Sequence, residues 1–392
     1  MTGARGLVSG CLTTFAAVLL VGCSVSAPPI RGAGFVDDNT VVAAATVGDV
    51  PTRIGISDGD LWPNCWADDD AIYAANGDGS GFGDEFSDIV VNRIDGGLDD
   101  LIGEALAVGD AVGQVWSGEG FTRKPTGMAC VGGDLYLAVQ DLRADFNEAP
   151  AATIAVSHDK GRTWEWDRSA PMFDDHVFTT IMFADFGKDA EHAPEGYLYA
   201  YGLDGNWRDS FDDSVPDPVD LWLARVPQDA VQDRSAWEFF AGLDGDEPRW
   251  SDDLAERVAV LHDERLQHPS NADAHAGGGQ TVGAANLSVL SQGGVTFNEP
   301  LGLYLYTSWT ELTFEFSASK APWGPFELFL SRDFGRYPWT DVEMGGYGTT
   351  IPSKFISDDG RRMWVQSNVC PCAPAGISSY WFGLRPLALE PR

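Results

Sequence analysis

Short apolar and aromatic runs, bounded by polar turns, recur along the body of the chain, and five pairs of them share one layout. In each, a polar residue opens a short strand, a turn rich in Asp, Gly, Asn or Pro follows, and an apolar–aromatic strand ends in a polar residue. The first pair occupies residues 60–66 and 71–78, with the turn at Asp68-Asp69-Asp70. The second occupies 124–131 and 135–141, the third 176–183 and 197–204, the fourth 295–297 and 303–311, the fifth 351–356 and 363–368. Turn chemistry and strand residues predict five β-hairpins. Further strand-like runs lie at 154–156, 221–224 and 328–330. The expected fold is all-β, a five-bladed β-propeller with one hairpin and outer strands per blade. Residues 205–294 break the spacing and read as an inserted segment, with a short helix over 228–240 and a loose Gly/Ala/Asn loop over 267–294. The competing folds are a β-sandwich and a six-bladed propeller with one blade hidden in that segment.

The N-terminus reads as an address. One positive charge precedes an apolar stretch, 7–20, that is too short to span a membrane as a stable helix. It ends in Leu20-Val21-Gly22-Cys23, a lipoprotein-type signal with cleavage before Cys23 and lipid on its thiol. An ordinary secretory signal with an incidental cysteine is the alternative. The expected organisation is a signal peptide over 1–22, a tether over 23–50 whose end can pair with the last blade, and the propeller over 51–392. The expected place is outside the cell, anchored by lipid to the outer face of the membrane. Cys65, Cys130, Cys370 and Cys372 then remain to form disulfides, with three connectivities open. Cys370 and Cys372 flank one proline and are expected to end two separate bridges rather than close one strained ring. A zinc site lacks matching His spacing.

Charge narrows the partners. Lys+Arg number 25 against Asp+Glu 59, a formal net charge of −34. Such a chain is repelled by phosphate backbones, which excludes nucleic acid, and an anionic polymer is a poor substrate. With 44% hydrophobic and 11% aromatic residues it can still bury a core, so it is no disordered acidic polymer. A monomer acting on a neutral polysaccharide raises no objection.

Ser157-His158-Asp159-Lys160-Gly161-Arg162-Thr163-Trp164 matches the Asp-box pattern, and Ser331-Arg332-Asp333-Phe334-Gly335 with Trp339 is a looser copy. These are turns between outer strands, where Asp caps backbone N–H groups and Trp packs between sheets. Chemistry is expected instead at one mouth of the central funnel. If the first hairpin turns about Asp69, Asp60 faces Asp78, with Cβ atoms roughly 4.5–5.5 Å apart. Two carboxyls that close repel, so one holds its proton as an acid while the other stays ionised. Lys124, Asp141, His176, Asp204, Glu311, Lys354 and Asn368 fall at other hairpin ends and join the rim, and Trp62 and Trp309 are candidates to stack on sugar rings. Glu299 lies in a turn remote from that mouth. His262, His268 and His275 lack metal-ligand spacing. No metal or cofactor is expected, although an acidic funnel is compatible with calcium. No Gly-x-Ser-x-Gly, phosphate-binding loop or Cys–His dyad occurs.

Several motifs together carry a resemblance. They are Asp60-Leu61-Trp62-Pro63, Trp66-Ala67-Asp68-Asp69, Gly77-Asp78-Gly79-Ser80-Gly81-Phe82, Arg123-Lys124-Pro125-Thr126-Gly127, Leu223-Ala224-Arg225-Val226-Pro227, Trp237-Glu238-Phe239-Phe240-Ala241-Gly242 and Ala321-Pro322-Trp323-Gly324-Pro325. Over residues 54–389 the chain resembles a secreted bacterial five-bladed propeller family, long catalogued as a domain of unknown function, that includes endo-D-arabinanases of mycobacterial cell-wall arabinan. The resemblance implies a glycoside hydrolase acting on furanosidic linkages, with Asp60 and Asp78 as its carboxylates. Residues 268–294, Cys370-Pro371-Cys372 and residues 175–183 depart from the family's pattern. The alternatives are a non-catalytic glycan-binding propeller lipoprotein and, further off, a sialidase, which needs three funnel arginines and a Tyr–Glu pair.

Overall fold

The computed structural model describes residues 41–208, 215–267, 287–310, 313–334, 346–369 and 380–392. Alternating small and branched residues open the described chain as β1 (Val42–Val47), followed by β2 (Thr52–Arg53). A first sheet follows: β3 (Asp58–Asp60), β4 (Asn64–Trp66), β5 (Ile72–Gly81), β6 (Ser87–Asp95) and β7 (Ile102–Val108), with β3 and β4 sharing the edge of β5. The second is β8 (Phe121–Val131), β9 (Asp134–Arg143) and β10 (Ala152–Ser157), extended outward by single bridges from Ala152 to Phe173 and Val156 to Glu165. The third runs through β11 (Thr180–Asp185), β12 (Tyr197–Leu203), β13 (Asp220–Pro227), β14 (Glu238–Asp244) and β15 (Glu247–Ser251). β16 (Leu261–His262) pairs with β13, and β17 (Leu266–Gln267) with β18 (Leu287–Ser288). The fourth holds β19 (Gly294–Asn298), β20 (Leu303–Trp309), β21 (Thr313–Ser319) and β22 (Glu327–Asp333). A short parallel contact between β11 and β19 joins it to the third. The last sheet is β23 (Tyr347–Thr350), β24 (Arg362–Asn368) and β25 (Gly383–Pro391), completed on the outside by β1 and β2 from the other end of the chain.

The segment 205–294 is therefore not a plain insertion. Its residues 220–251 continue the third sheet, because Leu221, Leu223, Ala224 and Val226 are buried against neighbouring sheets. The expected helix over 228–240 is replaced by one 3-10 turn, Arg234–Ala236, capped by the Asp233 side chain, and by the start of β14. Trp237 and Phe239 decide this, since both pack edge-on against Phe173 and aromatic residues favour extended backbone. Most of the loop expected over 267–294 lies outside the described residues. The fifth hairpin also differs. Its inner strand is Tyr347–Thr350, not 351–356, because Pro352 cannot donate to a ladder and the chain turns at Ser353–Phe355.

Hydrophobic clusters fill each gap between successive sheets. Tyr73 and Val91 meet Leu137 and Trp164; Ile154 meets Phe183 and Trp237; Tyr201 meets Val295 and Tyr306. Leu305 and Phe316 meet Met363 and Leu387, and Trp62 and Ile72 meet Phe382 and Leu384, which joins the last sheet to the first. On the axis, Asn64, Thr126, Met182, Gly294 and Thr350, from β4, β8, β11, β19 and β23, surround a space of about 20 Å³, one water's worth. Gly127 is needed there, because a Cβ would lie 2.7 Å from the Ile181 carbonyl oxygen.

Cys65 on β4 and Cys130 on β8 form a disulfide, with Cα atoms 5.5 Å apart. Neighbouring inner strands bring them together, so neither is left to bridge to Cys370 or Cys372, and the expectation of two bridges ending at that pair is corrected. Cys23, Cys370, Cys372 and Trp339 lie outside the described residues. In the turn after β10, Asp159 accepts from the Arg162 and Thr163 backbone N–H groups at 3.1 and 2.8 Å. The buried Trp164 donates its indole N–H to the Gly161 carbonyl at 3.0 Å.

Candidate active site

β3 ends at Asp60, and the next two residues, Leu61 and Trp62, hold φ angles of 68° and 54°. The Trp62 N–H turns back onto the Asp60 carbonyl at 2.9 Å. This left-handed step shifts the register by one. Asn64, Cys65 and Trp66 face Ala74, Tyr73 and Ile72, as a turn about Asp69 requires, but Asp60 faces Gly77 rather than Asp78. The two carboxyls are joined indirectly. Lys124, on β8 and buried, ion-pairs with Asp78 and also acts electrostatically on Asp60.

Asp60 is 2% exposed. Its Oδ2 accepts a hydrogen bond from the Tyr347 hydroxyl at 2.9 Å, and the Tyr380 hydroxyl lies close enough to favour the charged form. Burial pushes its carboxyl above the ordinary carboxylate range; Lys124 opposes that, and the charge of Asp78 adds to it. Burial, then Asp60, hold the Tyr380 hydroxyl well above its usual range. Gly77 is what lets the cluster close, because a Cβ there would sit 2.5 Å from Asp60 Oδ1 and 3.4 Å from Lys124 Nζ. Gly77→Ala should therefore cost about 1–3 kcal/mol of stability and lower any activity of the site at least about tenfold. Urea unfolding and kcat/KM would check both, and a fully active, equally stable variant would contradict this geometry.

The other expected rim residues divide. Asn368 lies at the same end, opposite Tyr347, where its side-chain amide donates to the Trp381 carbonyl at 2.6 Å and stitches the last sheet together. Trp62 is no sugar platform. It is fully buried, with its indole N–H on the Gly59 carbonyl at 2.9 Å and its ring edge-on to Phe82 and Phe382. Trp309 is likewise fully buried, walled between Trp207 and Tyr347. In both cases an aromatic ring beside the axis gains more from the core than from solvent.

His176 and Asp204 come together, but in a separate cavity of about 330 Å³ shared with Asp220 and Trp222. His176 hydrogen-bonds Glu148 at 2.9 Å, and Asp204 accepts the Phe178 N–H at 2.8 Å and pairs with Arg257. Burial raises the Asp204 carboxyl, with Arg257 opposing. Asp141 is buried on the Trp116 and Ser117 N–H groups at 2.8 and 2.6 Å, holding a loop. Lys354 sits at the opposite end from Asp60. There it contacts Asp70, beside Lys188 on Asp70 and Lys160 on Asp68. The displaced fifth strand explains that misplacement. Glu311 lies outside the described residues.

Sequence reasoning missed Tyr347 and Tyr380. The signal for Tyr347 was the run Gly345-Gly346-Tyr347-Gly348, since glycines around one aromatic mark close backbone approach. It also missed Glu315 on β21, buried and pushed up to about 7, which Arg265 and the Ser331 hydroxyl contact. Among the described residues no group of three or more His, Cys, Asp or Glu is placed to hold a metal ion.

No curated protein matches the chain. Among solved structures it is similar to a provisionally assigned hydrolase from Bacteroides ovatus, with 13% identity, TM-score 0.49, and coverage of 93% of this chain and 97% of that one. It is also similar to the GH43_1 enzyme from Xanthomonas citri, with 13% identity, TM-score 0.44, and coverage of 87% and 90%. The family model described as Domain of unknown function (DUF4185) matches residues 59–267, more than half of the sequence, and the chain belongs to that family.

Proposed function

We propose that this protein is a cell-surface glycoside hydrolase of endo-D-arabinanase type, built on a five-bladed β-propeller, that hydrolyses furanosidic linkages of a neutral cell-wall polysaccharide. The observation that carries the reading is the buried Asp60 carboxyl, linked through Lys124 to the half-exposed Asp78. Five successive sheets, with a hydrophobic cluster between each pair and between last and first, support the blade count. The environments of the two carboxyls differ in the sense acid–base chemistry needs. Asp78, paired with Lys124, serves the anomeric carbon, as the nucleophile or as the base for the water that bonds there when the departing oxygen leaves. Asp60, pushed up by burial and by the charge of Asp78, gives its proton to the departing oxygen. Lipid on Cys23 would hold the domain at the membrane surface, beside its polymer.

The test is release of reducing ends from mycobacterial arabinogalactan by protein freed of its first 23 residues. Release that disappears in Asp60→Asn and in Asp78→Asn supports a glycosidase at this site. Saturable glycan binding with no release, from folded protein, would replace the reading with a non-catalytic binding lipoprotein.

A further inference from the structure

At the Asp60 end of the axis, four buried side-chain atoms have no hydrogen-bond partner among the described residues: Asp60 Oδ1, Gln140 Nε2, Gln292 Oε1 and Trp207 Nε1. Each residue is no more than 2% exposed. They are contiguous. Gln140 faces Lys124 across the β8–β9 ladder. The Gln292 amide donates to the carbonyl of Pro125, next to Lys124, at 2.8 Å. The Gln292 backbone N–H donates to the Trp207 carbonyl at 2.6 Å. Trp207 packs 6.4 Å from Tyr347, whose hydroxyl reaches Asp60.

The two glutamines share one design. Gln140 is fixed through Oε1, which accepts from the Thr180 hydroxyl at 2.7 Å, and this leaves its Nε2 unmet. Gln292 is fixed through Nε2, which leaves its Oε1 unmet. Leaving a polar group buried and unpaired is costly, and two amides anchored beside neighbouring positions of β8, each with one idle end, ask for a partner. The unmet set holds two donors, Gln140 and Trp207, and two acceptors, Asp60 and Gln292. A neutral ring bearing several hydroxyls complements it, because each hydroxyl both donates and accepts.

We propose that Gln140, Gln292 and Trp207 form a subsite that binds the hydroxyls of one neutral sugar ring beside Asp60, and so determine which sugar is accepted. For the identity of that sugar this rests on the glycosidase reading. None of the three residues was singled out by the sequence pattern.

The experiment is calorimetric titration of Asp78→Asn protein, silenced for turnover, with D-arabinan, L-arabinan and xylan oligosaccharides and a deoxy analogue of the best binder. Gln140→Met and Gln292→Met, which keep side-chain length, should each weaken binding about tenfold. The deoxy analogue should lose affinity against the parent protein but little against the variant whose amide met the missing hydroxyl. A structural role would weaken every ligand equally, and an equal deoxy penalty in parent and variants overturns the subsite. Glutamine-dependent binding of xylan oligosaccharides alone keeps the subsite and removes the arabinanase reading. Cleavage of arabinan by wild-type protein, with binding unchanged in both methionine variants, does the reverse. Absence of binding by any of these sugars overturns both.

Discussion

Asp60→Asn should slow release of reducing ends from arabinan by about 10³-fold while leaving the fold intact. The substitution keeps the shape of the side chain and an oxygen for the Tyr347 hydroxyl, and Lys124 keeps its ion pair with Asp78. Only the transferable proton disappears. The pH profile gives the stronger test. An acid that must be protonated sets the alkaline limb of kcat/KM, so activity falls as pH rises through the Asp60 pKa, which burial places above the ordinary carboxylate range. Lys124 opposes that rise. In Lys124→Met the opposition is gone, so the residual activity should be lower and its alkaline limb should move to higher pH. If instead an acid limb moves, Asp60 works ionised and the two carboxyls exchange roles. Circular dichroism and urea unfolding of both variants separate lost chemistry from lost structure.

Removing the Cys65–Cys130 disulfide should have the largest effect on stability. The bond closes a loop with a sequence separation of 65 residues, which in the chain-entropy account is worth about 4 kcal/mol. Both sulfurs are buried, and the bond ties β4 to β8, adjacent inner strands of the first and second sheets. Cys65→Ala with Cys130→Ala should lower the urea midpoint sharply, and reductant should bring the wild-type protein close to the double variant. A midpoint unchanged in both cases would show that packing of Tyr73, Leu137 and Trp164 between the sheets suffices without it.

Much of the architecture was legible because hairpin turns are local. The turns at Asp68 to Asp70 and at Gly132-Gly133 sit between the strands expected. The third sheet was harder to read, since its outer strands follow a long connection and Trp237 commits β14 only through contact with Phe173. The site was legible in part. Asp60, Asp78 and Lys124 were named from hairpin ends, and they meet. Their register was missed, because a left-handed pair at Leu61 and Trp62 is unusual for bulky residues and leaves no compositional trace. Trp62 and Trp309 failed for one reason and Lys354 for another. Position along a strand says which end a residue occupies, but not whether its side chain points into core or funnel, and it misleads once the strand itself is misplaced.

The pairing of β1 with β25 has a practical consequence. Among the described residues, the outer edge of the nine-residue β25 is covered by β1 and β2 alone. A soluble form trimmed to the start expected from the sequence, residue 51, would lose Val42–Val47 and bare that ladder. An unpaired strand edge recruits the edges of other copies, so such a protein would clump, and its inactivity would be mistaken for absent chemistry. Soluble forms should begin upstream of Val42.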